Sequence, residues 1–344
     1  VYRAGRFDVL FPTQEQVAVL ARCPRRLAEA GVRTAVPSFE ALARVQDKVS
    51  ADATLAALGL PRPATTVVAS AAELAAFGPL PVFVKTPIGT ATTGVRWVGT
   101  GAELAALAAE WGAAGAFAGG GVLAQRPAAG PLVMAQSVFA HGDLLAWHAN
   151  LRVREGAAGG ASHKRSIALP SVRDHLRRLG DALCWDGALS ADAVLTEHGP
   201  LFIDINPRLV EPGNAWRAGV DLVTPLLDVA LGACSRPQPD GAAGVATHQL
   251  LLAVLGAAQR TGSRRAVAAE LASAVHHGGA YRDSAEELTP LRGDLRSVVP
   301  TAAAVAATVA RPAAWRRFCS GAVSAYALTP AAWAQIVGHR ERPT

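Results

Sequence analysis

The stretch that most restricts this chain runs from Ala188 to Arg208. Two strand-like runs, residues 188–195 and 201–205, flank Glu197-His198-Gly199, where glycine can supply the positive φ of a three-residue hairpin. A turn symmetric about His198 sets Thr196 opposite Pro200, Val194 opposite Phe202 and Asp192 opposite Asp204. The two aspartates then become cross-strand neighbours, with Cβ atoms ~4.5–5.5 Å apart. A period of two puts Asn206 on their face and turns Ile203 and Ile205 away. Like charges set opposite each other destabilise a hairpin unless something neutralises them. A hard divalent cation does so, and two carboxylates with an amide oxygen suit Mg²⁺ bound together with phosphate. Arg208 adds a guanidinium of the kind that accompanies phosphate. Two solvated aspartates, or a register one residue different, remain open alternatives.

Composition points to the other half of a site. Of the 33 basic residues only Lys48, Lys85 and Lys164 are lysines, so 30 are arginines. A lysine kept in an arginine-rich chain suggests a need for a compact point charge. Lys85 ends the apolar run Pro81-Val-Phe-Val, and a Gly/Thr-rich loop follows at residues 88–94. Such a loop offers backbone N–H groups and hydroxyls with little bulk, which suits a cover over phosphates. An ordinary hairpin with a solvated lysine is the alternative. The loop lacks the GxxxxGK[ST] pattern of a Walker A motif.

The same arginines explain the net charge of +6 and the pI near 9.6. They occur singly or in isolated pairs, which argues against a nucleic-acid surface. With 344 residues, 51% hydrophobic, the chain can bury a real core and is neither disordered nor collagen-like. Cys23, Cys184, Cys234 and Cys319 are far apart and lack metal spacing, so inert thiols in a cytoplasmic protein are expected. The longest uncharged stretch, residues 241–259, contains His248, Gln249 and three glycines and reads as a helix, not a membrane span. Residues 1–8 hold two arginines and no apolar run, so no signal peptide is expected, and the start at Val1 leaves room for residues upstream.

Element by element, residues 7–11 read as a buried strand and 13–30 as a helix. Ser38 opens a second helix, and Asp47-Lys48 precedes a third at 50–58. Strands follow at 64–68, 81–85, 95–98, 122–125, 132–139 and 144–154, with helices at 71–76, 102–111 and 173–183. From about residue 222 the chain reads as helical and alanine-rich. Trp315, Tyr326 and Trp333 are expected to be packing residues. The fold class is α+β, with antiparallel strands in the middle third.

In this order, Asp47-Lys48, Lys85 with its loop, Asp192, and Asp204-Ile-Asn206-Pro-Arg208 resemble the ATP-grasp superfamily. Residues 122–126, Arg152-Val-Arg154-Glu155 and Gly159-Gly160-Ala-Ser162-His163-Lys164 resemble its carboxylate–amine ligase branch. The resemblance covers roughly residues 7–231. It implies two α+β subdomains clasping ATP over residues 47–230, a partial α/β domain before them at 1–46, and a helical C-terminal region at 231–344. It implies that Lys48 and Lys85 hold the phosphates under a loop comprising Gly89, Thr90, Thr92, Thr93 and Gly94. The strand at 122–125, ending at Gln125, and Arg126 would present backbone to adenine. Asp192, Asp204 and Asn206 would ligate Mg²⁺, or Mn²⁺. Arg208 would stabilise the transferring phosphoryl group, with Arg154 and Lys164 at the acyl or acceptor site.

The sequence departs from the family pattern in three places. No acidic residue for ribose lies between Gln125 and Leu132, Asp204 stands where many relatives have Glu, and the N-terminal domain is short. The chemistry implied is activation of a small carboxylate by ATP as an acyl phosphate, then capture by an amine, with amino acids or peptides as substrates. Glu211 to Trp216 would line the pocket, although Trp216 also reads as core. His163 reads either as a base for the amine or as a surface residue. A homodimer contact through the C-terminal helices is a further expectation. Two alternatives stand beside the ligase: an ATP-grasp protein that binds nucleotide without catalysis, and a biotin-carboxylase-like enzyme. The only methionine, Met134, excludes an Ala-Met-Lys-Met carrier site in this chain.

Overall fold

The computed structural model describes residues 2–89, 94–288, 294–319 and 327–339. Thr90, Thr92 and Thr93 of the expected phosphate loop, and Tyr326, lie outside the described residues. Among those described, strands fall into two sheets. A four-stranded antiparallel sheet in the order β1-β4-β2-β3 comprises β1 (Thr65–Val68), β2 (Val82–Lys85), β3 (Val95–Val98) and β4 (Val122–Gln125). Its apolar face packs on helices Ala71–Ala75 and Gly101–Ala113 through Leu74, Leu104, Leu107 and Trp111. Thr100 and Glu103 close a capping box that starts the second of these helices.

The larger sheet has seven strands in the order β11-β10-β7-β6-β5-β8-β9. These are β5 (Leu132–Ala140), β6 (Asp143–Glu155), β7 (Ala161–Ser166), β8 (Gly187–Thr196), β9 (Gly199–Asn206), β10 (Ala246–His248) and β11 (Ser284–Glu286). Val133, Ala135, Leu189, Ala191 and Ala193 alternate toward one face. There they meet Val172, Leu176, Leu179 and Leu183, a stripe at helical spacing on helix Pro170–Leu183. The intervening residues, Met134, Gln136, Ser190 and Asp192, face the other way. One side of this sheet is therefore a hydrophobic core and the other a polar floor. This is the α+β architecture expected from the strand pattern.

Three expectations change. Residues 7–11 are not a strand, and no strand precedes Thr65 among the described residues. The expected α/β domain at 1–46 is instead a set of helices, including Gln16–Arg22, Pro24–Glu29 and Phe39–Gln46. The expected single helix at 13–30 breaks at Cys23-Pro24, where proline removes a backbone donor. Ala41 and Val45 join the core of the large sheet, and Val17, Ala18, Ala21 and Leu42 pack with Trp333 and Ile336 of helix Pro330–Gly338.

The C-terminal region is not purely helical either. β10 pairs antiparallel with β7, and β11 pairs parallel with β10, so residues 246–286 extend the central sheet. Helix Leu250–Thr261 seats on the β6–β7 turn at a close backbone approach: a Cβ on Gly256 would lie 2.8 Å from Gly156 Cα. The cysteines are free thiols, but none is fully buried, and Cys184 and Cys234 are exposed. No described helix is long and apolar enough to cross a membrane.

Replacing Gly256 by alanine should destabilise the protein by about 1–3 kcal/mol despite alanine's better helix propensity, because packed backbone must separate. Urea unfolding of the two proteins checks this.

Candidate active site

The hairpin loop is one residue shorter than a symmetric turn about His198 requires. Thr196 pairs with Gly199, Leu195 with Pro200, Val194 with Leu201 and Ala193 with Phe202. That register alone would set Asp192 opposite Ile203. A β-bulge between Asp192 and Ala193 restores Asp192 opposite Asp204, Ala191 opposite Ile205 and Ser190 opposite Asn206. Ile203 is the extra residue. Its carbonyl accepts a 2.8 Å bond from Lys85 Nζ, so the lysine closes the gap that the bulge leaves in the ladder. Ile205 points into the core as expected. Ile203 instead lines a crevice with Lys48, Lys85, Gln125 and Asp204.

Both phosphate-side lysines converge on this bulge. Asp47 caps helix Lys48–Ala57, accepting from Val49 N at 2.7 Å and Ser50 N at 3.1 Å. The cap sets Lys48 at the helix start, where its Nζ lies 3.2 Å from Asp204 Oδ1 and 3.5 Å from Gly89 O. Lys85 is 6% exposed. Burial, and then Lys48, lower its pKa to about 8 against the pull of Asp204, Asp192 and Asp52. Gly94, just before β3, has φ +78°, and its carbonyl accepts from Thr86 N at 2.8 Å.

Asp192 is pushed up to about 7, first by burial and next by the Asp204 charge, with Arg208, Arg152 and Lys85 opposing. Burial and the facing carboxylate thus disfavour the charged form of Asp192 in spite of the nearby cations, and Asn206 adds an amide on the same face. These residues could hold a divalent cation with oxygen ligands. Among the described residues no group of three or more His, Cys, Asp or Glu side chains is placed to hold a metal ion, so a cation here would depend on the two aspartates with Asn206. Arg208 stands beside them, with Nε 3.5 Å from Glu15 Oε1.

Asp192, Asp204, Asn206, Arg208 and Lys164 share one cavity of about 280 Å³. Lys164 is 2% exposed and ion-paired with both Glu211 and Glu287. Gln249 Nε2 donates to the same two carboxylates at 2.8 and 2.7 Å, and Thr247 Oγ1 donates to Glu287 at 2.8 Å. Glu211 lines the cavity and adopts φ +47°, a backbone conformation that costs a non-glycine residue. Asn214 is buried behind it, bonded to His148 and Thr247, while Trp216 is 67% exposed and belongs to neither pocket nor core.

Two of the expected site residues point elsewhere. Arg154 does not line the cavity: a bulge in β6 pairs it with His163, and its guanidinium grips Glu270 at 2.8 and 2.6 Å. Arg152, opposite Lys164, does line the cavity. Arg126 turns its side chain to the carbonyls of Pro79 and Pro81, and its backbone N–H is already given to Ala64 O at 2.8 Å, whereas Gln125 does line the crevice. His163 is neither a surface residue nor a base in the cavity. It is buried against His248 and Tyr281, and burial foremost, then Arg154 and His248, lower its pKa to about 4.

Sequence reasoning missed Gln136, Asn150, Glu15 and Glu287. The first two lie on β5 and β6 at the period-two positions of the polar floor, a signal that was readable. Glu15 and Glu287 reach the site from distant segments without local signature.

No protein-family model and no curated protein sequence matches the chain. Solved structures do. Biotin carboxylase from Campylobacter jejuni is 19% identical with a TM-score of 0.60, covering 71% of this chain and 59% of that one. The biotin carboxylase domain of Hydrogenobacter thermophilus 2-oxoglutarate carboxylase, solved with MgADP, ADP and bicarbonate, is 17% identical with a TM-score of 0.57, covering 70% and 56%. An L-amino acid ligase from Bacillus licheniformis is 16% identical with a TM-score of 0.51, covering 68% and 58%. The chain thus spans under two thirds of the length of each, and it has the ATP-grasp fold.

His163 stays neutral in the fold to about pH 4 but ionises near 6.5 once unfolded, so stability should be complete above pH 6.5. It should fall toward pH 4 with a slope of about 1.4 kcal/mol per pH unit from this group. His148 and His248, also lowered by burial, add in the same direction. His163→Phe should flatten the dependence, read by urea unfolding across pH 4–7.

Proposed function

We propose that this protein is an ATP-dependent, ADP-forming ligase that activates a small carboxylate as an acyl phosphate and joins it to an amine. The observation that carries this reading is the facing Asp192–Asp204 pair, held in register by Lys85 and continuous with a cavity lined by Asn206, Arg208 and Lys164. Asp192, Asp204 and Asn206 would hold Mg²⁺, which supplies charge neutralisation at the phosphates when bound. One structural neighbour was solved with MgADP, and nothing favours Mn²⁺.

Lys48 and Lys85 bring two positive charges to the crevice where the phosphates would lie, and Lys48 Nζ also reaches Gly89 O. Lys48 leaves its ion pair with Asp204 when a phosphate and a cation arrive. Gln125 lies in the same crevice, on the adenine side. A carboxylate oxygen of the substrate attacks Pγ while the bond from Pγ to the bridging oxygen breaks, releasing ADP. Arg208 balances charge on the transferring group, since phosphoryl transfer depends on positioning and electrostatics more than on covalent help. The amine nitrogen then attacks the acyl carbon, phosphate leaves, and the nitrogen gives up a proton. Lys164, which lines the same cavity and pairs with Glu211 and Glu287, would face the acyl or acceptor group.

A second reading, a biotin-carboxylase-like enzyme with bicarbonate as the carboxylate, is supported by the same fold and by the two carboxylases among its neighbours. Amines separate the two, because a ligase needs an amine co-substrate and a carboxylase needs bicarbonate and biotin.

ADP release should require Mg²⁺, a carboxylate and an amine together. Asp204→Asn and Lys85→Ala should each lower kcat/KM at least ~100-fold while leaving thermal unfolding cooperative. Full turnover in either variant would remove the assigned site. ATP binding without ADP formation across a broad panel of carboxylates and amines would leave only a nucleotide-binding protein.

A further inference from the structure

The polar floor of the large sheet contains amide groups that the fold leaves unused. Asn150 is 0% exposed, and neither its Oδ1 nor its Nδ2 has a hydrogen-bond partner among the described residues. It lines the cavity on the same face as Asp192: the cross-strand order Asp204, Asp192, Met134, Asn150 runs straight across β9, β8, β5 and β6. Gln136, one pleat along β5, is 3% exposed and lines the cavity as well. Its Nε2 donates to Glu211 O at 3.2 Å, which fixes the orientation of the amide and leaves Oε1 as a buried acceptor without a donor. An unsatisfied buried amide atom is costly, and such groups persist where a ligand completes them.

The chemistry of the missing partner follows from what is unpaired. Two orphan acceptors, Gln136 Oε1 and Asn150 Oδ1, require N–H or O–H donors, and one orphan donor, Asn150 Nδ2, requires an acceptor such as a carboxylate oxygen. Beside them Glu211, 37% exposed at the side chain, belongs to a cluster in which one ammonium, Lys164, faces two carboxylates, Glu211 and Glu287. That cluster carries net negative charge and favours a cation. Arg152 and Arg208 line the cavity as well and favour a carboxylate.

We propose that Gln136, Asn150 and Glu211 form an ammonium-binding subsite, and that the activated carboxylate belongs to an α-amino acid. This rests on the ligase reading for the fate of the carboxylate, but the subsite rests on the orphan amides and the Glu211 cluster. The ammonium donates to Gln136 Oε1, Asn150 Oδ1 and Glu211. The substrate carboxylate then points toward Arg208 and the aspartate pair. The subsite selects against acids without an amino group, because these leave both acceptors unpaired and desolvated.

The test is ligand-induced thermal shift and calorimetry with L- and D-α-amino acids, each paired with the acid lacking only the amino group. At least one amino acid should bind and its desamino partner should not, and Gln136→Leu should weaken binding about 10- to 100-fold. Gln136→Glu keeps an acceptor and adds charge, so it should retain or tighten binding, which guards against a Leu variant that fails to fold. Asn150→Leu, nearly isosteric, should leave the unliganded Tm equal or higher, since the amide has no partner in the fold, yet abolish the response.

Equal binding of amino and desamino acids, no binding of either, or a fall of several degrees in the unliganded Tm of Asn150→Leu would each overturn the subsite. ADP release judges the other reading separately. Turnover indifferent to the amino group keeps the ligase and removes the subsite, whereas amino-acid binding without ADP release keeps the subsite and removes the ligase.

Discussion

The bond from Lys85 Nζ to the carbonyl of Ile203 joins the two halves of the site. Lys85 ends a strand of the small sheet, and Ile203 is the bulged residue of the large one. A hairpin with a two-residue loop would slip its register by one and turn Asp204 away from Asp192. The bulge corrects that slip, at the cost of a ladder carbonyl without a strand partner. The lysine satisfies this carbonyl and at the same time lies beside the carboxylates. Pairing, charge balance and the closure of one subdomain against the other therefore meet at a single point.

Around that point each segment has a definite part. The N-terminal helices bring Lys48, through the Asp47 cap, and Glu15, which stands against Arg208. The C-terminal region lends two strands to the sheet and supplies Glu287, Gln249 and Thr247, which fix Lys164. A second buried cluster, Arg154, Glu270 and Tyr281, ties helix Arg264–Val275 to the same sheet, with the Tyr281 hydroxyl 2.5 Å from Glu270 Oε1. The C-terminal third is thus part of the site's framework, and the homodimer role expected for its helices is not needed to explain its presence.

Much of this was legible in the sequence, for physical reasons that can be named. The Asp192–Asp204 pairing followed from alternation on either side of a glycine turn, and it survived an incorrect turn because the bulge compensated. The lysines stood out because arginine is the rule elsewhere. The illegible parts share a cause: they depend on contacts between distant segments. Residues 7–11 have strand character but no partner strand among the described residues; Leu10 N donates to Arg33 O at 2.8 Å. β7 was hidden behind Gly159-Gly160 and its own charged residues, and β10 lay inside an apolar stretch that reads equally well as helix. Period two along β6 puts Asn150, Arg152 and Arg154 on one face, and a bulge at Val153 turns Arg154 away while the first two stay in the cavity. Bulges have no local signature, yet they decide which side chain reaches a site.

The central claim is that the Asp192–Asp204 pair is a cation-dependent nucleotide site. It is tested most directly by calorimetric titration of ATP into the protein, with Mg²⁺ and then with the metal chelated. Binding at least tenfold tighter with Mg²⁺, with that difference lost in Asp192→Asn, is the predicted result. Binding indifferent to both the metal and the substitution would contradict it.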